Sequence, residues 1–97
     1  MKAKLESIRA VVDYFHMISA SGGISRWDEA EKEKYYGLLG DIKETLSPIE
    51  QEIFFEVYLR KSKRCSDYFE TMKPYQYYKI IWSLSLKMTA FCKMWKL

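Results

Sequence analysis

The sequence predicts an all-α fold: a small domain of about five helices that ends in a helix-turn-helix-like unit. Apolar residues recur at spacings of three and four along most of the chain, which is the period of an amphipathic helix. No segment alternates as a strand does, and the 97 residues include only 4 glycines and 2 prolines, too few for a sandwich or a barrel. A chain of this length is expected to form one domain, residues 1–97, around a modest core.

The first helix is predicted to run from about Ala3 to Ala20. Its end is marked by Gly22 and Gly23, because glycine readily takes the left-handed conformation that follows a helix C-terminus. The apolar stripe of this helix consists of Leu5, Ile8, Val11, Val12, Phe15 and Ile18.

The second helix is predicted to start after an N-cap at Ser25 and to continue to about Leu46. Gly37 and Gly40 weaken it, since glycine is a poor helix former. Its stripe consists of Trp27, Ala30, Tyr35, Leu38, Leu39, Ile42 and Leu46. Residues 1–46 are therefore expected to form a helical hairpin that serves dimerisation or contact with a partner.

The sharpest local signal is the segment Ser47-Pro48-Ile49-Glu50. The hydroxyl of Ser47 can accept from the Glu50 amide while the Glu50 carboxylate accepts from the Ser47 amide, and proline is favoured at the first helical position. This capping box predicts a third helix that begins at Pro48, buries an apolar face through Tyr58 and frays through residues 60–64.

The C-terminal half has the layout of a helix-turn-helix. Ser66 is predicted to cap a short helix, 67–72, which Lys73-Pro74 joins to a longer helix from Tyr75 to about Trp95. The apolar stripe of the longer helix consists of Tyr77, Tyr78, Ile81, Leu84, Met88, Phe91 and Trp95. The first turns of such a helix meet the bases in the major groove, where glutamine recognises adenine and lysine recognises guanine. The predicted base-contact residues are Tyr75, Gln76, Lys79 and Ser83.

Charge is distributed unevenly along the chain. Residues 57–97 contain 9 lysines and arginines against 2 acids, a net charge of +7, whereas residues 41–56 carry a net charge of −4. A basic half of this kind is typical of a surface that binds a polyanion, and the alternative is a solvated lysine face that keeps the protein soluble. The predicted DNA-phosphate contacts are Lys61, Lys63, Arg64, Lys73 and Lys87.

Part of the C-terminal half resembles a known family. The segment from Leu46 to Ile53, with its Leu-Ser-Pro-x-Glu start, is similar to the opening of region four of bacterial sigma factors. The Tyr77-Tyr78-Lys79 run and the residues after it, Trp82, Ser85 and Leu86, resemble the small phage regulators of the ArpU type. The resemblance covers about residues 46–91. The chain departs from the family at Lys73-Pro74, where a glycine turn is usual, and at Phe69, where a small residue is usual.

The resemblance implies a transcriptional regulator of a phage or mobile element. Such a protein binds double-stranded DNA without a cofactor, and its N-terminal helices contact RNA polymerase or form a homodimer. A second hypothesis, from a different class, is a small phage-encoded protein that binds and modulates a host protein. A third is a structural subunit that assembles through the two N-terminal stripes.

The sequence offers little for catalysis or for cofactors. There is no Gly-rich phosphate loop, no nucleophile motif and no metal-ligand spacing, so we expect no enzyme activity, no metal and no cofactor. His16 lies between stripe positions and is interpreted as a surface or partly buried helix residue rather than as a ligand or catalytic group. Charged residues near the start and the lack of a long apolar run favour a cytoplasmic protein that does not enter a membrane.

Overall fold

The computed structural model of the protein describes residues 5–97. Over this range the chain forms four α-helices and no strand, so the all-α prediction is confirmed, while the expected count of about five helices is not. The helices are α1 (Leu5–Ala20), α2 (Glu29–Thr45), α3 (Pro48–Ile53) and α4 (Pro74–Trp95). Two short 3-10 helices cover Ile24–Arg26 and Cys65–Tyr68, and a π-helical segment covers Phe54–Leu59.

Helix α1 buries one apolar side, as its stripe predicts. The stripe residues from Ile8 onward are buried, and Tyr14 joins them. The helix ends where expected, because Gly22 and Gly23 take φ values of 90° and 95°, a region that side chains disfavour. The predicted start at Ala3 lies outside the described residues.

Helix α2 begins later than predicted. Its N-cap is Asp28, whose carboxylate accepts a hydrogen bond from the Glu31 amide at 2.9 Å, and Ser25 lies in the preceding 3-10 turn. The carboxylate also places a negative charge at the positive end of the helix dipole, where it is stabilising. Gly37 does not break the helix. It lets the indole of Trp95 pack so closely that a Cβ at position 37 would collide with the ring.

Helix α3 starts with the predicted capping box. The Ser47 hydroxyl accepts from the Glu50 amide at 3.3 Å, and the Glu50 carboxylate accepts from the Ser47 amide at 2.8 Å. The helix then widens into the π-helical segment, where the amide of Arg60 donates to the carbonyl of Phe55 at 2.8 Å. The helical path therefore continues to Leu59, one residue beyond its expected apolar face.

The short helix predicted over residues 67–72 is not formed. A 3-10 helix takes its place and begins two residues earlier, because the Asp67 carboxylate caps the amide of Arg64 at 2.8 Å. The next turn is tight, with the amides of Thr71 and Met72 both donating to the carbonyl of Tyr68. The start of α4 is then capped, because the Lys73 amide donates to the Gln76 side-chain carbonyl at 2.8 Å.

The core lies between α1, α2 and α4. Helices α1 and α4 run antiparallel, since the hydroxyls of Ser7 and Thr89 bond at 2.8 Å and the thiol of Cys92 donates to the carbonyl of Ser7. Phe15 links α1 to the π-helical segment through an edge-on contact with Phe54. Most of the apolar stripes of α1 and α2 are thus covered within the subunit, whereas Leu5, Met17 and Tyr36 remain exposed on these two helices.

Candidate nucleic-acid interface on helix α4

The N-terminal half of α4 is held in place by its start and by its buried side. Pro74 occupies the first helical turn, where its missing N–H costs no hydrogen bond. Tyr77 and Ile81 are buried against the 3-10 helix and the core. No acidic residue occurs anywhere in α4, so the positive end of the helix dipole is not neutralised from within the helix.

The outer side of this half exposes aromatic and polar groups. Tyr75 is 64% exposed and Tyr78 is 56% exposed, and Gln76 and Lys79 are exposed beside them. The side-chain carbonyl of Gln76 is occupied by the Lys73 amide, so its NH₂ group is the one available to a ligand. The prediction that Tyr78 belongs to the buried stripe is wrong. Its ring instead contacts the edge of the core through Phe69, with ring centroids 6.4 Å apart.

A groove of about 510 Å³ runs between this half of α4 and the start of α3. Helix α3 contributes its cap, Ser47 and Glu50, to one wall. The other wall consists of Tyr75, Gln76, Lys79, Ile80 and Ser83. The structure therefore brings all four residues predicted to contact bases to one groove, and it adds a buried carboxylate that the sequence analysis assigned only to helix capping.

Glu50 organises the floor of this groove. It is 3% exposed, and its carboxylate accepts from the Lys87 ammonium at 2.6 Å and from the Ser83 hydroxyl at 3.0 Å, besides the Ser47 amide. Burial opposes ionisation of this carboxyl, but the hydrogen bonds from Lys87 and Ser83 and those at Ser47 outweigh burial and lower its pKa. Glu50 is therefore an ionised, fully partnered group that joins α3 to α4.

Two of the predicted DNA contacts are bonded to the buried carboxylate of Glu50. Ser83 and Lys87 both bond to Glu50, and the side chain of Lys87 is only 32% exposed. Their polar groups face the groove floor rather than open solvent. The other three base-contact residues, which precede them on α4, are exposed.

The basic stretch after α3 is also partly neutralised. Arg60 pairs with Glu56 at 2.7 Å, and Lys63 pairs with Glu52 at 3.6 Å. The hydroxyl of Ser62 also donates to the Glu56 carboxylate, and this bond together with Arg60 and Lys63 lowers the pKa of Glu56. Three of the predicted phosphate contacts are exposed and form no ion pair with any residue in 5–97: Lys61, Arg64 and Lys73.

Other kinds of site find no support among the described residues. Residues 5–97 contain no group of three or more potential metal ligands. No helix in the same range has the length and apolar character needed to cross a bilayer. No protein-family model, no curated protein and no solved structure matches the chain. The function is therefore inferred from the geometry and chemistry of this surface.

Proposed function

We propose that the protein binds double-stranded DNA through the N-terminal half of α4 and regulates transcription in a phage or other mobile element. The observation that carries the proposal is an exposed helix start without acidic residues, on which Tyr75, Gln76 and Lys79 all face solvent. Such a helix end combines a positive dipole with side chains that can reach base edges.

Each group has a distinct role in this proposal. Gln76 donates from its free NH₂ group to an acceptor on a base edge, and Lys79 reaches a guanine or a phosphate one turn further along. Lys61, Arg64 and Lys73 contact phosphates, which fix the position of the protein without reading sequence. Ser83 and Lys87 act through Glu50, by holding α4 against α3 at the groove.

In this proposal residues 47–97 form a rearranged sigma-region-four-like unit. The 3-10 helix and tight turn before α4 stand where the family has a short α-helix. Contacts of the N-terminal region with RNA polymerase or with a second copy then involve the exposed sides of α1 and α2, because most residues of their apolar stripes pack in the core.

The test is fluorescence anisotropy with a mixed-sequence duplex, titrated at several salt concentrations. We expect Lys79→Ala to weaken binding and to reduce the slope of log affinity against log salt by about 0.9, the contribution of one phosphate contact. Lys93→Ala is the matched control, since Lys93 is an exposed lysine near the other end of α4. Equal losses for the two variants, or no binding by the wild type at low salt, would contradict the proposal.

Base reading is tested separately with a selected site. Gln76→Ala is expected to cost about 1–3 kcal/mol on the preferred duplex and little on a random one. Lys73→Ala is expected to weaken both duplexes alike, because a phosphate contact carries no sequence information. The role of Gln76 is refuted when its substitution affects the two duplexes equally.

A second function, binding to a host protein, is favoured by one observation. Further along the outer side of α4, Trp82 is 37% exposed and Leu86 is 49% exposed, and exposed apolar residues of this size are enriched at protein interfaces. Purified bacterial RNA polymerase is the probe. Loss of polymerase binding in Leu86→Ala with unchanged DNA affinity would support this function, and unchanged polymerase binding would exclude Leu86 from such an interface.

A further inference from the structure

Another pocket, of about 430 Å³, lies between α1 and the end of the π-helical segment. Helix α1 contributes Arg9, Asp13 and His16, whose spacing of four and three places them on one face of the helix. Tyr58 and Lys61 form the other wall. Val12 and Val57 complete the lining. This pocket contains none of the residues proposed to contact bases, and it shares only Lys61 with the proposed phosphate contacts to DNA.

The backbone around the pocket is irregular at two adjacent places. The π-helical segment ends at Leu59, and Lys61 then takes a φ of 55°, in the left-handed region that glycine occupies at lower cost. The amides of Ser62 and Lys63 both donate to the carbonyl of Glu56, at 2.8 and 3.1 Å, and hold this reversal. The turn carries the lysine side chain to the pocket wall facing α1.

The pocket contains several donors that have no partner among residues 5–97. Neither Arg9 nor Lys61 forms an ion pair with a residue in the described range, and the phenol of Tyr58 bonds to none of those residues. Burial raises the pKa of Tyr58, with smaller contributions from Cys65 and Tyr78, so the phenol keeps its proton and remains a donor. The imidazole Nε2 of His16 lies 3.2 Å from the carbonyl of Leu59.

We infer that this pocket binds inorganic phosphate. Arg9 and Lys61 supply two positive charges and Tyr58 supplies a neutral donor, the groups that an oxoanion requires. Asp13 supplies one hydrogen-bond acceptor, so the pocket favours an oxoanion that carries a proton to donate. Inorganic phosphate keeps a P–OH group near neutral pH and can donate it to Asp13, whereas sulfate and phosphodiesters carry no such proton and would be repelled by the carboxylate.

The first experiment titrates the ¹⁵N-labelled full chain with inorganic phosphate, sulfate and dimethyl phosphate at constant ionic strength. We expect saturable shifts of the backbone amides around Arg9 and Lys61 with phosphate, and at least tenfold weaker binding of the other two anions. Asp13→Asn should reduce this discrimination, because an amide can also donate to a fully ionised oxygen. The inference is overturned when the wild type binds sulfate or dimethyl phosphate as tightly as phosphate, or binds none of them.

The second experiment separates the role of the Lys61 side chain from that of its backbone. Lys96 also has a φ of 55°, at the C-terminus of α4, so Lys61→Gly and Lys96→Gly relieve the same kind of strain at two places. We expect both variants to unfold at or above the wild-type temperature, and only Lys61→Gly to lose phosphate affinity, by at least tenfold. Unchanged phosphate affinity in Lys61→Gly would rule out this site. Because the readout is phosphate binding, the result is independent of whether the protein binds DNA.

Discussion

Among individual residues, Glu50 has the largest structural consequence. It caps α3 through the Ser47 amide and bonds to Ser83 and Lys87 of α4, all while 3% exposed. Glu50→Ala would remove the cap and leave Lys87 beside the groove floor without its counter-charge. We expect the variant to lose about 2–4 kcal/mol of unfolding free energy, measured by urea denaturation.

Glu44 provides the matched control for this measurement. It is an exposed glutamate near the end of α2 and forms no ion pair with a residue in 5–97. Glu44→Ala is expected to change the free energy of unfolding by no more than about 0.5 kcal/mol. If the two variants lost the same free energy of unfolding, the bonds made by Glu50 would contribute no more to stability than an exposed surface charge does.

The same carboxyl makes stability depend on pH. Burial opposes its ionisation, yet the bonds from Lys87 and Ser83 and at Ser47 lower its pKa in the folded protein below its unfolded value. Its contribution is therefore complete above the unfolded pKa and is lost as the pH falls through the folded pKa. Urea midpoints measured from about pH 7 to about pH 3 should fall more steeply for the wild type than for Glu50→Gln. Parallel curves would show that Glu50 does not contribute. Glu56, whose pKa is also lowered, is present in both proteins and cancels from the difference.

Among the helices, α2 offers a direct comparison of two glycines. A Cβ at Gly37 would collide with the indole of Trp95, which also donates to the Asp41 carboxylate at 2.7 Å, whereas a Cβ at Gly40 would meet no atom within 4 Å. Gly37→Ala should therefore destabilise the protein by about 1–3 kcal/mol through overpacking. Gly40→Ala should stabilise it by about 0.5–1 kcal/mol, because alanine is the better helix former. Thermal unfolding followed by circular dichroism measures both, and a shift in the same direction would contradict the contact with Trp95.

The sequence predicts those parts of the helices that local chemistry determines. The box at Ser47 and Glu50 and the glycine end of α1 depend on neighbouring residues only, and both are confirmed. The predictions for the start of α2 and for the segment after Arg64 were wrong. In both places a carboxylate, that of Asp28 or of Asp67, forms the cap instead of a nearby serine. The periodicity of apolar residues does not indicate which of two neighbouring polar residues forms the cap.

The candidate site was likewise predicted only in part. Helical spacing was sufficient to place Gln76, Lys79 and Ser83 on one surface of α4. It did not indicate which element lies opposite, so the bonds from Ser83 and Lys87 to Glu50 were missed. The pocket beside α1 was missed for a further reason. It depends on the π-helical segment and the left-handed backbone of Lys61, and no residue pattern in the sequence predicts these features.

For the molecule as a whole, the uneven charge of the sequence is partly balanced on folding. Three ion pairs join an acid of residues 41–56 to a base of residues 57–97: Glu50 with Lys87, Glu52 with Lys63, and Glu56 with Arg60. The net +7 of the C-terminal segment thus overstates the charge that a polyanion meets. A smaller group of exposed cations near the start of α4 forms no ion pair within residues 5–97. The number of these cations sets the strength of the electrostatic attraction to DNA.

This gives a quantitative expectation for DNA binding. If Lys61, Arg64, Lys73 and Lys79 each neutralise one phosphate, the slope of log affinity against log salt should be about −3.6 for duplex DNA. Engagement of all nine bases in residues 57–97 would give a slope of about −8. Anisotropy titrations across salt distinguish these values. The steeper slope would mean that the ion pairs with Glu50, Glu52 and Glu56 open on binding, and the acidic segment would then compete with DNA for the same cations.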